Sequence, residues 1–210
     1  MKIKVGTRGS RLALAQSQAV IFAIQKKFPD LEMELIIIKT RGDLDQKTRL
    51  DQMNEKGIFV KEIEEALLNH RIDIAIHSLK DMPSVICEGL LFSTPPKRED
   101  PRDVFVVPRR NQEFISFKKG ARIGTGSIRR SRQLKEAFPD CEILPIRGNI
   151  DTRIQKMLDE DFDGIVLAAA GIHRLNLWES DVYQVLPIEI DQAIPSPCQG
   201  ILGIQIRNED

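Results

Sequence analysis

Apolar positions along the chain switch repeatedly between two spacings, every second residue and every third or fourth, and this alternation predicts strands and helices in turn. Lys2–Val5 reads as a short strand. Ser10 then suits a helix N-cap, and Leu12, Ala15, Ala19, Phe22 and Ala23 recur at helical spacing as far as Phe28-Pro29. The isoleucine run within Glu34–Lys39 predicts a buried strand. Gly57–His70 predicts a second amphipathic helix, with Phe59, Val60, Ile63, Ala66 and Leu67 on one face and Lys61, Glu62, Glu64 and Glu65 on the other. Ile72, Ile74 and Ile76 form a strand that runs into His77-Ser78-Leu79-Lys80-Asp81.

The rhythm breaks at Pro95-Pro96-Lys97-Arg98-Glu99-Asp100-Pro101, where prolines and charges mark a crossing between domains. It resumes with strands at Val104–Val107, Ala121–Gly124, Glu142–Ile146 and Gly164–Ala168. Helices are expected at Ser127–Phe138, at Asp151–Leu158 and around Ile172–Leu175. A turn at Pro195–Gly200 and an alternating strand to Arg207 close the chain. Strands that alternate with helices argue for an α/β architecture with largely parallel sheets. No internal repeat is visible.

Composition changes this picture little. Of the 210 residues, 41% are hydrophobic and 30% charged, ordinary for a globular protein. Lys plus Arg and Asp plus Glu number 31 each, so any anion site must come from local clustering. With only 5% aromatic residues as well, the basic residues Arg109, Arg110, Lys118, Lys119, Arg122, Arg129, Arg130 and Arg132 do not make a case for nucleic-acid binding. Basic residues interrupt the N-terminus and no long apolar run follows, so neither a signal peptide nor a membrane partner is expected, and the location expected is cytoplasmic. Cys87, Cys141 and Cys198 lie far apart with no zinc spacing, and His70, His77 and His173 form no set, so no metal is expected.

Chemistry gathers where strands end and helices begin. Gly6-Thr7-Arg8-Gly9-Ser10 places backbone N–H groups, a hydroxyl and a guanidinium at a helix start, an arrangement that suits an anion. Gly124-Thr125-Gly126-Ser127-Ile128-Arg129-Arg130 repeats the plan without the order of a phosphate loop, so carboxylates are the better ligand. Arg147-Gly148-Asn149-Ile150-Asp151-Thr152-Arg153 and, beyond a further strand, Arg174 add guanidiniums where open α/β sheets bind their ligands. Together these junctions describe a cleft for a molecule with several carboxylates. Lys80 and Asp81 end another strand; a carboxylate beside a lysine stays ionised and can shuttle a proton or stabilise a cation.

These blocks, in this order, resemble the porphobilinogen deaminase (hydroxymethylbilane synthase) family from end to end of the chain. The resemblance rests on Val5–Gln16, Thr40-Arg41-Gly42-Asp43, Lys56-Gly57-Ile58-Phe59-Val60-Lys61-Glu62, His77–Pro83, Arg98–Asp103, Gly124–Arg130, Arg147-Gly148-Asn149 and Gln199-Gly200. It implies two periplasmic-binding-protein-like (type II) domains with mixed, largely parallel sheets and a cleft between them. The first would be 1–96 plus 191–210, and the second, inserted, 101–190.

By the same resemblance, the activity is the joining of four porphobilinogen units into hydroxymethylbilane with loss of ammonia, a transferase step of haem and tetrapyrrole biosynthesis. The cofactor is dipyrromethane and the partners are porphobilinogen and the growing polypyrrole, with the protein a monomer. Asp81 is implied as the catalytic residue. Arg8, Ser10, Gln16, Lys56, Ser78, Lys80, Thr125, Gly126, Ser127, Arg129, Arg130, Arg147, Gly148, Arg153 and Arg174 are implied to bind substrate and cofactor.

The family's cofactor-anchoring cysteine lies in a Gly-Gly-Cys loop of a third domain that would follow Asp210, and none of the three cysteines here lies in such a loop. A shortened gene product, a third domain from another chain and a cofactor held without a covalent bond all stay open. So does a non-catalytic module that captures a polycarboxylate or tetrapyrrole and releases it unchanged. Gly126, where the family often has a second serine, and Gln52, where it can have a lysine, are the smaller departures.

Overall fold

A computed structural model describes residues 2–44, 57, 59–111 and 119–210. Within it the chain forms two compact units, Met1–Glu99 with Gly200–Asp210, and Asp100–Gln199.

Unit 1 is a five-stranded sheet with helices on both faces. Its strands are β1 (Lys2–Thr7), β2 (Glu32–Ile37), β3 (Ile74–Ser78) and β4 (Leu90–Phe92), together with the last strand of the chain, Leu202–Arg207. The order is β2-β1-β3, then the terminal strand, then β4; β1 runs parallel to β2 and β3, and the terminal strand runs antiparallel to both its neighbours. Helix α1 (Arg11–Lys27) covers one face and α3 (Lys61–Leu68) the other, with a short α2 at Arg41–Leu44. The period-two pattern of β3 divides its side chains accordingly. Ile74 and Ile76 pack in the α1 cluster with Val5 and Val20, while Ala75 packs with Ile63, Ala66 and Leu67 of α3.

Unit 2 repeats the plan. Its strands are β5 (Asp103–Pro108), β6 (Arg122–Gly124), β7 (Glu142–Leu144), β8 (Gly164–Ala168) and β9 (Tyr183–Pro187), and the terminal strand of unit 1 is therefore β10. The order is β7-β6-β8-β5-β9, with β6 parallel to β7 and β8, and β5 antiparallel to β8 and β9. Val104 and Val106 face Ile154 and Met157 of α5 (Ile150–Asp159) and Ile172 of α6 (Ala169–Arg174). Phe105 and Val107 face Leu134 of α4 (Ile128–Ala137). Each fully buried Ile, Leu or Val in these layers contributes about 1.5–3 kcal/mol.

Both sheets are mixed and largely parallel, as expected, because each inserts one antiparallel strand, β10 or β5, next to three parallel ones. Two differences from the sequence reading have physical causes. The helix expected from Gly57 begins only at Lys61: Gly57 is left-handed, with φ of 81°, and its carbonyl accepts from Val60 and Lys61 N–H as a turn. Residues 191–199, expected with the first domain, pack in unit 2, where Ala193 joins the Phe105 core and the Gln199 amide bonds the carbonyl of Pro101.

Candidate functional site

Parallel strands put their carboxyl ends at one edge of a sheet, and the antiparallel neighbour brings its start to the same edge. In unit 2 that edge collects the junctions after β6, β7 and β8 with Asp103, which pairs in register with Ala168.

The turn Thr125-Gly126-Ser127 leads into α4. Thr125 Oγ1 accepts from Ser127 N–H at 3.2 Å, and Ser127 Oγ caps the helix by accepting from Arg130 N–H at 3.4 Å. Gly126 leaves no room for a side chain, since a Cβ there would lie 2.9 Å from the carbonyl oxygen of Ile146. The first turn of α4 then delivers two guanidiniums to Asp103, with Arg129 Nη2 on Oδ2 and Arg130 Nη2 on Oδ1, each at 2.7 Å. Gln199 Nε2 adds a third bond to Oδ1 at 2.8 Å. Asp103 is 0% exposed. Burial alone would raise its pKa, but the Arg130 charge and the bonds from Arg130, Gln199 and Arg129 outweigh that and hold the carboxyl below its ordinary range. Arg130 is buried and also donates to the Val166 carbonyl, whereas Arg129 is only partly buried and reaches Ile194 O and Gln133.

Arg147 and Arg153 flank the next junction. Arg153 Nε donates to the Gly148 carbonyl at 2.7 Å, and Gly148 adopts φ of 121°, which favours glycine. Burial first, then the charges of Arg130 and Arg147, push the Arg153 guanidinium down to about 10. Arg147 Nη1 is buried without a hydrogen-bond partner. Among the described residues neither Arg147 nor Arg153 has a carboxylate partner. Of the four arginines, Arg129 and Arg130 share the one carboxylate of Asp103 while Arg147 and Arg153 have none, and the positive charge left over favours an anion. Arg174 ends α6, the helix that follows β8.

In unit 1 the corresponding edge lies after β1 and β3. Ser10 caps α1, its Oγ accepting from Ala13 N–H. Gln16 is buried and exchanges hydrogen bonds with Ser78 at the end of β3. Leu79, Lys80 and Asp81 form one 3₁₀ turn after that strand, with Lys80 partly buried and Asp81 exposed. Arg8 pairs with Asp43 through Nε and Nη2, and its guanidinium lies 4.0 Å from the centre of the Phe59 ring. Asp43 also accepts from Thr40 N–H and Oγ1. Against the opposing effect of burial, the Arg8 and Thr40 bonds keep its carboxyl below the ordinary range. Lys56 lies outside the described residues.

Sequence reasoning gave no functional role to Asp43, Phe59, Asp103 or Gln199, although all four stand in blocks it singled out. One signal was available: Arg130 and Leu134, four apart on α4, share its buried face, which a solvated arginine would not. Among the described residues no three His, Cys, Asp or Glu side chains are placed to hold a metal ion, and no helix is long and apolar enough to cross a membrane.

The family described as "Porphobilinogen deaminase, dipyromethane cofactor binding domain" matches residues 3–210. A porphobilinogen deaminase of Clostridioides difficile (strain 630) is 51% identical over all of this chain and 69% of its own length. One from Syntrophus aciditrophicus (strain SB) is 47% identical over 99% of this chain and 67% of its own. Among solved structures, the periplasmic VFT2 domain of Bordetella pertussis BvgS aligns over 100% of this chain and 82% of its own at 13% identity, with a TM-score of 0.54. The BenM effector binding domain with benzoate aligns over 100% and 84% at 15% identity, also with a TM-score of 0.54. At such identities the likeness shows the fold alone, the periplasmic-binding-protein-like type II fold.

Proposed function

The chain belongs to the porphobilinogen deaminase family, and from that premise we propose that it binds dipyrromethane and joins porphobilinogen units head to tail into hydroxymethylbilane, releasing one ammonia per addition. The observation that carries this reading is the surplus of guanidinium over carboxylate at the edge of the unit 2 sheet, with the buried, unpartnered Nη1 of Arg147 at its heart. The acetate and propionate groups on every pyrrole ring supply the anions that such a surplus lacks.

That donor set fits dipyrromethane. Arg129, Arg130, Arg147, Arg153 and Arg174 would hold its carboxylates and the same groups on porphobilinogen. When bound, dipyrromethane supplies the pyrrole to which new units are attached. In unit 1, Arg8, Ser10, Gln16, Ser78 and Lys80 would orient the incoming porphobilinogen through its own carboxylates and amine.

Asp81 takes the catalytic role. As the aminomethyl C–N bond of porphobilinogen breaks, the bonding pair leaves with ammonia and positive charge spreads over the pyrrole and its methylene carbon. An adjacent carboxylate offsets that charge and accepts a hydrogen bond from the pyrrole N–H. Its placement on a short, exposed turn after β3 gives a flat pyrrole access to it.

The test is to incubate the 210-residue chain with porphobilinogen, with and without preformed hydroxymethylbilane, and to follow porphobilinogen consumption and ammonia release. Turnover in wild type and its loss by roughly a hundredfold or more in Asp81→Asn, with the fold intact, is the expected result. Near-normal rates in Asp81→Asn would reject the role given to that residue. Binding without consumption would favour capture without chemistry.

A further inference from the structure

We propose that Asp103 is a positioning residue, a fixed internal anion that sets the directions in which Arg129 and Arg130 present their remaining donors to a ligand's carboxylates. The inference rests on the reading of unit 2 as a polycarboxylate site, and it assigns a role to a group that touches no ligand.

Three features of the carboxylate support it. It is 0% exposed, and a buried carboxylate is tolerated only when paired and hydrogen-bonded. Its three side-chain donors come from two separate segments, the first turn of α4 and Gln199. Its backbone is held on both sides, because Asp103 opens β5 in register with Ala168 of β8 and its carbonyl accepts from Ile188 N–H at 2.9 Å. A carboxylate so anchored cannot follow a moving arginine; the arginines must conform to it.

The charge count keeps the site receptive. One carboxylate against two guanidiniums leaves a net single positive charge on the trio, so Asp103 orders the pair without cancelling its attraction for an anion. Gln199 makes the device directional. By donating to Asp103 Oδ1 and to the carbonyls of Pro101 and Arg102, its amide reserves Oδ2 for Arg129 and shares Oδ1 with Arg130. Arg130 is also electrostatically coupled to Arg153, so its placement carries into the Arg147 and Arg153 junction.

Charge neutralisation and positioning predict opposite signs. If Asp103 merely offset positive charge, Asp103→Asn would bind an anion more tightly; if it orients the arginines, the same change weakens binding despite the gain in positive charge. Two readouts on the 210-residue chain decide it. The first is the side-chain N–H signals of Arg129 and Arg130 by NMR. In wild type they are expected to be slow to exchange and restricted compared with exposed Arg132, and in Asp103→Asn they should sharpen toward Arg132.

The second is porphobilinogen affinity by equilibrium dialysis, expected to fall tenfold or more in Asp103→Asn. Equal or tighter binding by the variant would overturn the proposal, as would wild-type Arg129 and Arg130 signals as mobile as those of Arg132. The wild-type comparison stands even where Asp103→Asn does not fold. Ordered arginines in a wild-type chain that binds no porphobilinogen would leave the Asp103 assignment in place and count against the functional reading instead.

Discussion

The Gln16 amide and the Ser78 hydroxyl exchange hydrogen bonds, Nε2 to Oγ at 2.9 Å and Oγ to Oε1 at 3.2 Å, across 62 residues of sequence. This contact ties the buried face of α1 to the end of β3, immediately before the turn that carries Asp81. Ser78→Ala removes the partner of a buried amide without adding bulk. It is expected to cost about 1–3 kcal/mol, read as a lower midpoint in urea with unchanged slope.

Gly200 and Gly120 share a left-handed backbone, with φ of 88° and 79°, but not the same surroundings. A Cβ at Gly200 would lie 2.4 Å from the carbonyl oxygen of Glu99, whereas nothing lies within 4 Å of one at Gly120. Gly120→Ala should therefore cost only the backbone preference, about 1 kcal/mol, and Gly200→Ala about 2–3 kcal/mol or more. Thermal unfolding of the two variants side by side checks the order.

Much of this was legible in the sequence, and what was not has identifiable reasons. Ser10 is the N-cap its position suggested, because a hydroxyl before an apolar-periodic segment has one obvious use, while Ser127, expected as the first residue of its helix, caps it instead. Strands β4 and β9 escaped detection. β4 is three residues long, and β9 is an edge strand that ends in proline and alternates only weakly. The strand expected at Glu34–Lys39 lies instead at Glu32–Ile37, since its register is set by pairing with β1, from Lys2 opposite Glu32, rather than by its own isoleucines. Asp103 was the hardest to read. A charged residue just before a strand looks solvated, and only the three-dimensional meeting of α4 with Gln199 makes its burial tolerable.

Stability should depend on pH through His77. Burial pushes the imidazole down to about 4, with the Arg8 charge acting in the same direction and the Gln205 amide opposing. The unfolded chain, near the ordinary 6.5, therefore binds more protons than the folded one between those values, so stability falls as pH drops from 6.5 to 4. The loss is on the order of 3 kcal/mol. Asp43 and Asp103, held below the ordinary carboxylate value of 3.8, stabilise the fold above that value and lose their contribution only in more acidic solution. Urea midpoints at pH 7, 5.5 and 4.5 should fall in wild type and stay nearly level in His77→Gln; parallel slopes would mean that another group is responsible.

The most direct measurement is the double substitution Arg147→Gln with Arg153→Gln, assayed for porphobilinogen affinity and thermal stability on the same sample. Two partly buried guanidiniums without carboxylate partners burden the folded state, so their removal should leave the melting temperature equal or higher. Affinity should fall at least tenfold, as the loss of charge-assisted bonds of about 1.5–3 kcal/mol each requires. A variant that binds porphobilinogen as tightly as wild type would contradict the assignment of this edge of unit 2 to the ligand's carboxylates.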